Sequence, residues 1–132
     1  YHDALPTMAS LKSMGLIVGV AGNQPPKSEA ALKAMGLPAD IVAGSSTWGV
    51  EKPTAAFFSR VVEAANVEPR EIVYVGDRLD NDVIPARAAG LKTVLVRRGP
   101  WGRDHAARSE ASLADLVVDD LAALASVMSA AR

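Results

Sequence analysis

Short apolar runs alternate along this chain with longer segments that carry apolar residues at helical spacing. Five runs have the length of β-strands, and they cover residues 16–21, 41–43, 72–75, 93–96 and 116–118. Their residues are apolar on both faces, which is typical of parallel strands covered by helices on each side. Strands that alternate with helices indicate βαβ units. The pattern therefore predicts an α/β fold built on a parallel sheet.

The segments between these runs are predicted to be helical. In residues 4–14, Leu5, Met8 and Leu11 recur at three-residue spacing and form one apolar face. The other predicted helices cover residues 28–35, 54–66, 83–89 and 121–131. No repeat, low-complexity tract or interdomain linker interrupts the alternation, so we expect a single domain over residues 1–132.

Composition and charge exclude several classes of function. The 132 residues include no cysteine, which excludes disulfide scaffolds and cysteine-ligated zinc. Fourteen Lys and Arg against 15 Asp and Glu leave a net charge of −1, so no broad positive field would attract nucleic acid or an anionic membrane. No apolar run approaches the roughly 20 residues that cross a bilayer. We therefore expect a cytoplasmic protein that holds any anionic substrate through local groups.

An acidic turn after the third apolar run is the strongest chemical signal. Its sequence is Gly76-Asp77-Arg78-Leu79-Asp80-Asn81-Asp82, and ligands of open α/β sheets bind beyond the carboxyl ends of the strands. Crowded carboxylates repel one another unless they share a cation, and Mg²⁺ prefers one or two carboxylates together with waters and phosphate oxygens. The turn predicts a Mg²⁺ site with Asp77 as direct ligand and Asp82 as its partner. The alternative is an ordinary turn that caps the next helix.

A lysine before a proline is the second signal. Pro53 pre-sets the backbone for the first turn of a helix and restricts Lys52 to an extended conformation. Its ammonium could then offset the repulsion between the acidic turn and a phosphoryl group. The alternative is a solvated lysine beside a helix start, and the dipeptide alone would favour that interpretation.

Together these residues resemble the haloacid dehalogenase-like (HAD) hydrolase superfamily. The resemblance spans nearly the whole chain in the family's order, with 25 positions from Lys52 to Asp77. It implies a three-layer, Rossmann-like parallel sheet flanked by helices, and Mg²⁺-dependent phosphoryl transfer from a small phosphorylated substrate through an aspartyl-phosphate. It also implies that Lys52 steadies the charge of the nucleophile and phosphate, and that Asp77 and Asp82 are the Mg²⁺-site acids.

The resemblance also bears on the loop after the first run. The family usually places a Ser or Thr there to hydrogen-bond to the transferring phosphoryl group, whereas this chain has Gly22 followed by Asn23. A backbone N–H could still donate, so we expect Gly22 to contact substrate and Asn23 to belong to the catalytic set. Arg78 and Trp48 are further candidates for substrate contact, although a surface ion pair and a partly buried loop anchor are the ordinary roles of such residues.

The front of the chain departs from the family pattern. Family members begin with a strand ending in Asp-x-Asp, whose first Asp attacks phosphorus, and the only Asp-x-Asp here is Asp80-Asn81-Asp82 in the acidic turn. Residues 1–6 instead resemble the return from the cap region to the core. We therefore expect the sheet to lack its first central strand and the chain to be inactive alone. A missing N-terminal segment or a second chain would complete the sheet, which would otherwise expose unpaired strand edges.

Two other interpretations remain at this point. One is a noncatalytic α/β scaffold or interaction domain that kept the fold without the nucleophile. The other is a phosphoacceptor receiver domain, which has a similar size, sheet and acidic pocket. Receivers place their acidic residues before the lysine, whereas Lys52 precedes Asp77 here, and this order disfavours a receiver.

Overall fold

The computed structural model describes residues 4–23, 26–97 and 107–130. The chain divides into two compact units, the first being Tyr1–Glu51 with Leu121–Arg132 and the second Lys52–Asp120. Residues 1–3, which begin the segment that resembles a return from a cap, lie outside the described residues. A single domain over residues 1–132 stays a prediction.

The first unit combines a short parallel sheet with four helices. Strands β1 and β2 pair in parallel, with Gly19 opposite Ile41 and Gly22 opposite Gly44. Helices α1 and α6 contact each other although they lie at opposite ends of the chain. The bounds in chain order are α1 Ala4–Ser13, β1 Gly19–Gly22, α2 Pro26–Ala34, β2 Ile41–Gly44, α3 Ser45–Trp48 and α6 Leu121–Ala130.

The second unit contains a three-stranded parallel sheet in the order β3-β4-β5. In its register, Val75 lies opposite Val94, and Val94 lies opposite Leu116. The bounds are α4 Ala55–Ala65, β3 Val73–Gly76, α5 Ile84–Ala88, β4 Lys92–Val96 and β5 Leu116–Val118. Two 3₁₀ turns, Pro69–Glu71 and Ser109–Leu113, and one π-helical turn, Leu79–Val83, connect them. The predicted α/β fold class with parallel strands flanked by helices is confirmed.

The core of the second unit includes the buried rings of α4 and an apolar cluster that joins the π turn to β4. Phe57 and Phe58 of α4 are completely buried, as is Leu95 of β4. Leu79 and Val83 of the π turn pack with Leu95 in one apolar cluster. This cluster lies under the acidic turn, so burial of apolar side chains sets where the turn's polar side chains emerge.

Helix α4 is capped at both ends, by Thr54 and by Asn66. The Thr54 hydroxyl accepts a hydrogen bond from the Phe57 N–H at 3.3 Å, which satisfies one of the unpaired donors of the first turn. Asn66 ends the helix with a φ of 54°, a left-handed conformation that asparagine tolerates. The predicted helix over 54–66 is therefore correct. The sequence pattern associates Pro53 with the first turn of the helix, whereas in the structure Pro53 precedes the cap residue Thr54 and lies outside that turn.

An aspartate immediately before a strand fastens the amino-terminal end of each sheet. In the second unit, the Asp115 carboxylate accepts the Thr93 N–H at 2.7 Å, and the Asp115 N–H donates to the Thr93 carbonyl at 3.0 Å. In the first unit, the Asp40 carboxylate accepts the Val18 N–H at 2.8 Å, and its N–H donates to the Val18 carbonyl at 2.7 Å. Each aspartate fixes the register of the strand that follows it, where a one-residue slip would reverse the faces.

Three local elements differ from the sequence-based expectation. Strand β1 begins at Gly19, three residues later than predicted, because Val18 is bonded to the turn before β2. The expected loop over 44–53 opens with the short helix α3, which ends at Gly49 with a φ of 70°. The expected helix over 83–89 is preceded by the π turn and ends at Ala88. Within the described ranges, none of the helices combines the length and the apolarity that crossing a bilayer demands.

We predict that Asp115→Ala destabilises the second unit by about 1–3 kcal/mol, because it leaves the N–H of the fully buried Thr93 without its carboxylate acceptor. Urea unfolding measures the change. The matched control is Asp119→Ala, which removes an exposed carboxylate paired with Arg97 and should cost at most about 1 kcal/mol. Equal losses from the two variants would contradict a structural role for Asp115.

The Asp40 carboxylate predicts an acid-dependent stability. Hydrogen bonds from Lys12 and from the Val18 N–H hold the pKa of Asp40 below its usual value, partly opposed by desolvation. Because the folded pKa is the lower one, its contribution is present above the unfolded pKa of about 3.9 and is lost as the pH falls through the folded pKa. The difference in unfolding free energy between the wild type and Asp40→Asn should therefore shrink below about pH 4.

Urea unfolding of the wild type and Asp40→Asn at a series of pH values between neutrality and acid measures this difference. Glu63→Gln, which removes an exposed carboxylate of α4, is the matched control. A difference for Asp40→Asn that stays constant across the acid range would show that the charge of Asp40 contributes nothing.

Candidate functional site

An ion pair between Lys52 and Asp82 lies at the centre of the candidate site. The Lys52 Nζ is 2.6 Å from the Asp82 Oδ1, and only 14% of the lysine side chain and 4% of the aspartate side chain are exposed. The two residues are 30 positions apart in the sequence. Such a buried pair needs further hydrogen bonds to offset the desolvation of both charges.

The π turn supplies those further bonds for Asp82. The N–H groups of Asp82 and Val83 both donate to the Arg78 carbonyl at 3.1 Å, so the turn closes with one residue more than an α-helical turn. The Arg78 N–H in return donates to the Asp82 Oδ2 at 3.2 Å. The Arg78 N–H thereby holds Oδ2 over the start of the turn, while Oδ1 is bonded to Lys52. Widened turns of this kind are frequent at functional sites.

Gly76, the last residue of β3, is required by the position of Asp82. A Cβ atom at residue 76 would collide with the side chain of Asp82. The constraint is therefore a close approach of side chain to backbone, and it does not depend on backbone conformation. The Gly-Asp pair of the sequence motif has a physical reason, since glycine lets the carboxylate of Asp82 lie against the end of the strand.

Asp77 and Arg78 follow directly after β3. Asp77 is exposed, as a ligand open to a cation and its waters would be. The Arg78 guanidinium forms a two-point contact with Asp80, from Nε to Oδ1 at 3.1 Å and from Nη2 to Oδ2 at 2.8 Å. This hydrogen bond raises the pKa of Arg78, partly opposed by desolvation. The guanidinium is thus engaged with Asp80, and its contact with substrate stays a prediction.

The donor set fits a hard divalent cation. Asp77 and Asp82 both offer carboxylate oxygens, which Mg²⁺ prefers, and Mg²⁺ usually takes one or two protein carboxylates and keeps several waters. The hydrogen bonds to Asp82 use one lone pair of each oxygen and leave capacity for a further ligand. Over the part of the chain that the structure describes, no group of three or more His, Cys, Asp or Glu side chains is placed to hold a metal ion. A cation here would depend on few protein ligands.

Three further predicted site residues belong to the first unit. Gly22 is the buried last residue of β1 and pairs with Gly44, and Asn23 follows it as an exposed residue. Trp48 is half-buried at the end of α3. The structure brings Lys52, Arg78 and Asp82 together in the second unit. The roles of Gly22, Asn23 and Trp48 stay predictions.

Tyr74 is a feature of the site to which the sequence pattern assigned no role. It is half-buried in β3, and its pKa is raised above the usual range by burial and by the negative charge of Asp82. The signal that could have found it is its spacing from Gly76, because residues two apart on a strand face the same side.

A shallow apolar groove of about 490 Å³ lies elsewhere on the second unit. It is lined by residues of α4 and α5 and of the segments beside them, namely Pro53, Ala55, Ser59, Val62, Pro69, Pro85, Ala88 and Ala89. None of these side chains is charged, so the groove has no group to neutralise a phosphate. The chemistry is concentrated at the acidic turn.

The chain matches a family model described as HAD-hydrolase-like over residues 49–124. It is 36% identical over 122 residues to the glyceraldehyde 3-phosphate phosphatase of Methanopyrus kandleri, a match that covers 90% of this chain and 52% of that protein. It is 33% identical over 128 residues to the phosphoglycolate phosphatase of Rhodospirillum rubrum, covering 94% and 51% respectively. The chain therefore spans about half the length of these curated relatives.

A solved structure agrees with the sequence relatives. A HAD phosphatase from Thermococcus onnurineus superposes with a TM-score of 0.82 at 29% identity, over 97% of this chain and 57% of that one. This likeness supports the parallel α/β architecture described above.

We predict that Gly76→Ala destabilises the chain by about 1–3 kcal/mol, because the new methyl group forces the Asp82 side chain away from β3. Gly19→Ala is the matched control, since a Cβ there has its nearest neighbour at 3.4 Å, the Cβ of Ile41. Urea unfolding of the single variants and of Gly76→Ala combined with Asp82→Ala measures the coupling. Strictly additive losses at residues 76 and 82 would contradict the proposed collision.

Proposed function

The chain belongs to the HAD-like hydrolase family, and from this premise we propose that the complete protein is a Mg²⁺-dependent phosphatase acting on a small phosphomonoester. In the proposed reaction, an aspartate carboxylate attacks phosphorus, the bond from phosphorus to the ester oxygen breaks, and that oxygen takes a proton and leaves as the alcohol. Water then hydrolyses the aspartyl-phosphate, which releases inorganic phosphate and restores the carboxylate. The observation that carries the proposal is the buried ion pair of Lys52 with Asp82 at the carboxyl end of β3. Cytoplasmic location stays a prediction.

Lys52 is proposed as the cation that balances the anions of the reaction. Its amine lies 2.6 Å from the Asp82 carboxylate and is largely shielded from water. An ammonium in such an environment interacts more strongly with a nearby phosphoryl group than it would in bulk solvent. Lys52 would neutralise the charge of the nucleophile and of the phosphoryl oxygens, and its bond to Asp82 would keep the amine oriented before substrate arrives.

Asp77 and Asp82 are the proposed Mg²⁺ ligands. When bound, the ion would neutralise charge on the phosphoryl oxygens and help to orient the phosphate. Asp77 is the exposed member of the pair, while Asp82 is held by Lys52 and by the Arg78 N–H. Asp82 would thus orient the lysine as well as contribute an acidic oxygen.

Substrate contacts are proposed for the remaining candidates. Asn23 and the N–H of Gly22 would hydrogen-bond to the phosphoryl group, and Arg78 and Trp48 would contact the rest of the molecule. For Arg78 this requires an anionic group of the substrate to replace Asp80 in the two-point contact. Relatives named glyceraldehyde 3-phosphate phosphatase and phosphoglycolate phosphatase support a small phosphate ester as substrate.

The attacking aspartate is proposed to lie outside these 132 residues, on an N-terminal segment or on a second chain that completes the sheet. The 132 residues alone are accordingly expected to be inactive. The competing candidate is a noncatalytic scaffold, which is favoured by Gly22 at the position where the family usually has a hydroxyl residue. The two differ in whether the complete protein turns over phosphate esters.

We predict that the complete protein hydrolyses phosphoglycolate, glyceraldehyde 3-phosphate or the generic substrate p-nitrophenyl phosphate with Mg²⁺, and that EDTA abolishes the rate. Asp77→Asn should lower kcat/KM by about a thousandfold, since loss of the main ligand removes several kcal/mol of charge stabilisation. Lys52→Met should produce a comparable loss. Release of inorganic phosphate measures all rates.

The matched controls remove the same charges elsewhere on the second unit. Lys92→Met changes an exposed lysine at the start of β4, and Glu63→Gln changes an exposed carboxylate of α4. Both should retain wild-type rates. If the complete protein released no phosphate from any of the three esters, the scaffold interpretation would replace the phosphatase.

A further inference from the structure

The ammonium of Lys52 has a second neighbour besides Asp82. Its Nζ lies over the ring of Tyr74, 5.9 Å from the ring centroid. Tyr74 and Gly76 are two residues apart on β3 and so share one face of the strand. Asp82 packs against Gly76 on that face. The ring of Tyr74 and the carboxylate of Asp82, which both contact the lysine, therefore lie at neighbouring positions of one strand face.

The ring of Tyr74 is fixed by the aromatic core behind it. Phe58 meets Tyr74 edge to face, with centroids 5.0 Å apart and planes at 72°. Phe57 meets Phe58 in the same manner, at 5.2 Å and 76°. Both phenylalanines are completely buried, so this row of rings is part of the core. A ring held in this way offers the lysine a surface of fixed position.

The electrostatics of the arrangement favour a cation at this place. The face of an aromatic ring is its negative region and attracts an ammonium within about 6 Å, more strongly when water is excluded. Burial and the neighbouring Asp82 charge raise the pKa of Tyr74 above its usual range, so the phenol keeps its proton. The amine thus lies between a neutral ring face and a carboxylate, with 14% of its side chain exposed.

We propose that Tyr74 is a positioning residue for Lys52, whose ring holds the lysine amine at the acidic turn during phosphoryl transfer. A lysine side chain has four rotatable bonds, and a contact with a carboxylate lets the amine turn towards an arriving anion that attracts it more strongly. The ring adds a second, uncharged anchor that no arriving anion competes for. This role rests on the proposed function only for its effect on catalysis, because the contact itself belongs to the fold.

The test compares two replacements of the ring. Tyr74→Phe keeps the ring and should retain kcat/KM within about twofold, whereas Tyr74→Leu removes the ring face and should lower it about tenfold, as expected for a shielded cation–ring contact. In a Lys52→Met background, Tyr74→Leu should cause no further loss. The proposal would be overturned if Tyr74→Phe and Tyr74→Leu lowered kcat/KM equally. It would also be overturned if Tyr74→Leu lowered kcat/KM as much in the Lys52→Met background as in the wild type.

A spectroscopic measurement separates this proposal from the phosphatase itself. In a ¹H–¹³C spectrum, the ε-methylene protons of Lys52, identified by their disappearance in Lys52→Met, should resonate upfield of those of exposed lysines through the ring current. This upfield chemical shift should persist in Tyr74→Phe and vanish in Tyr74→Leu. An inactive complete protein that shows this pattern would refute the phosphatase and keep the lysine–ring contact. A Lys52 signal unaffected by Tyr74→Leu would refute the contact whatever the activity.

Discussion

The burial of one ammonium beside one carboxylate is the constraint on which the site of this chain depends. Lys52 and Asp82 are almost withdrawn from water, and removing one partner of such a pair typically costs about 3–5 kcal/mol, because the other charge is left buried alone. A pair of apolar residues could fill the same space at little cost. The pair is therefore weak evidence for stability, and the proposed function gives its two charges a role at the end of β3.

In the second unit, polar contacts lie at the two ends of the strands and apolar side chains pack between them. At the amino-terminal ends, the Asp115 carboxylate fastens β5 to Thr93 of β4. At the opposite end of β3, Asp82 and Lys52 form the ion pair of the candidate site. Between the two, the buried rings of α4 and the apolar cluster around Leu95 fill the interior. Parallel strands make this separation possible, because all their carboxyl ends lie at one edge of the sheet.

The sequence predicted the fold class and the members of the central pair, for identifiable reasons. Apolar runs of strand length and helical periodicity depend on local spacing, which can be recognised without knowledge of distant contacts. The approach of Lys52 to Asp82 could be expected because the resemblance implies one site for both residues and because opposite charges attract; the structure places the two groups 2.6 Å apart.

Other features depend on contacts that no local pattern encodes. In a π turn, an N–H group donates to the carbonyl five residues earlier, whereas in an α-helix it donates to the carbonyl four residues earlier. Hydrophobic periodicity does not distinguish these two hydrogen-bond patterns. The start of β1 is set by Asp40, which lies 22 residues beyond Val18. The ring of Tyr74 reads in the sequence as one more apolar strand residue. The lysine that contacts it lies in the turn before α4, 22 residues earlier in the chain.

The extra residue of the π turn also affects how related chains should be aligned. Because the turn accommodates one residue more than an ordinary helical turn, its removal would tighten the backbone without rebuilding β3 or α5. The interval between Asp77 and the last acid of the turn can therefore differ by one between homologous chains that share the same architecture. An alignment that fixes this interval would then place Asp82 one position away from the equivalent acid of the other chain. A single gap allowed between Arg78 and Asp82 would align the two acids.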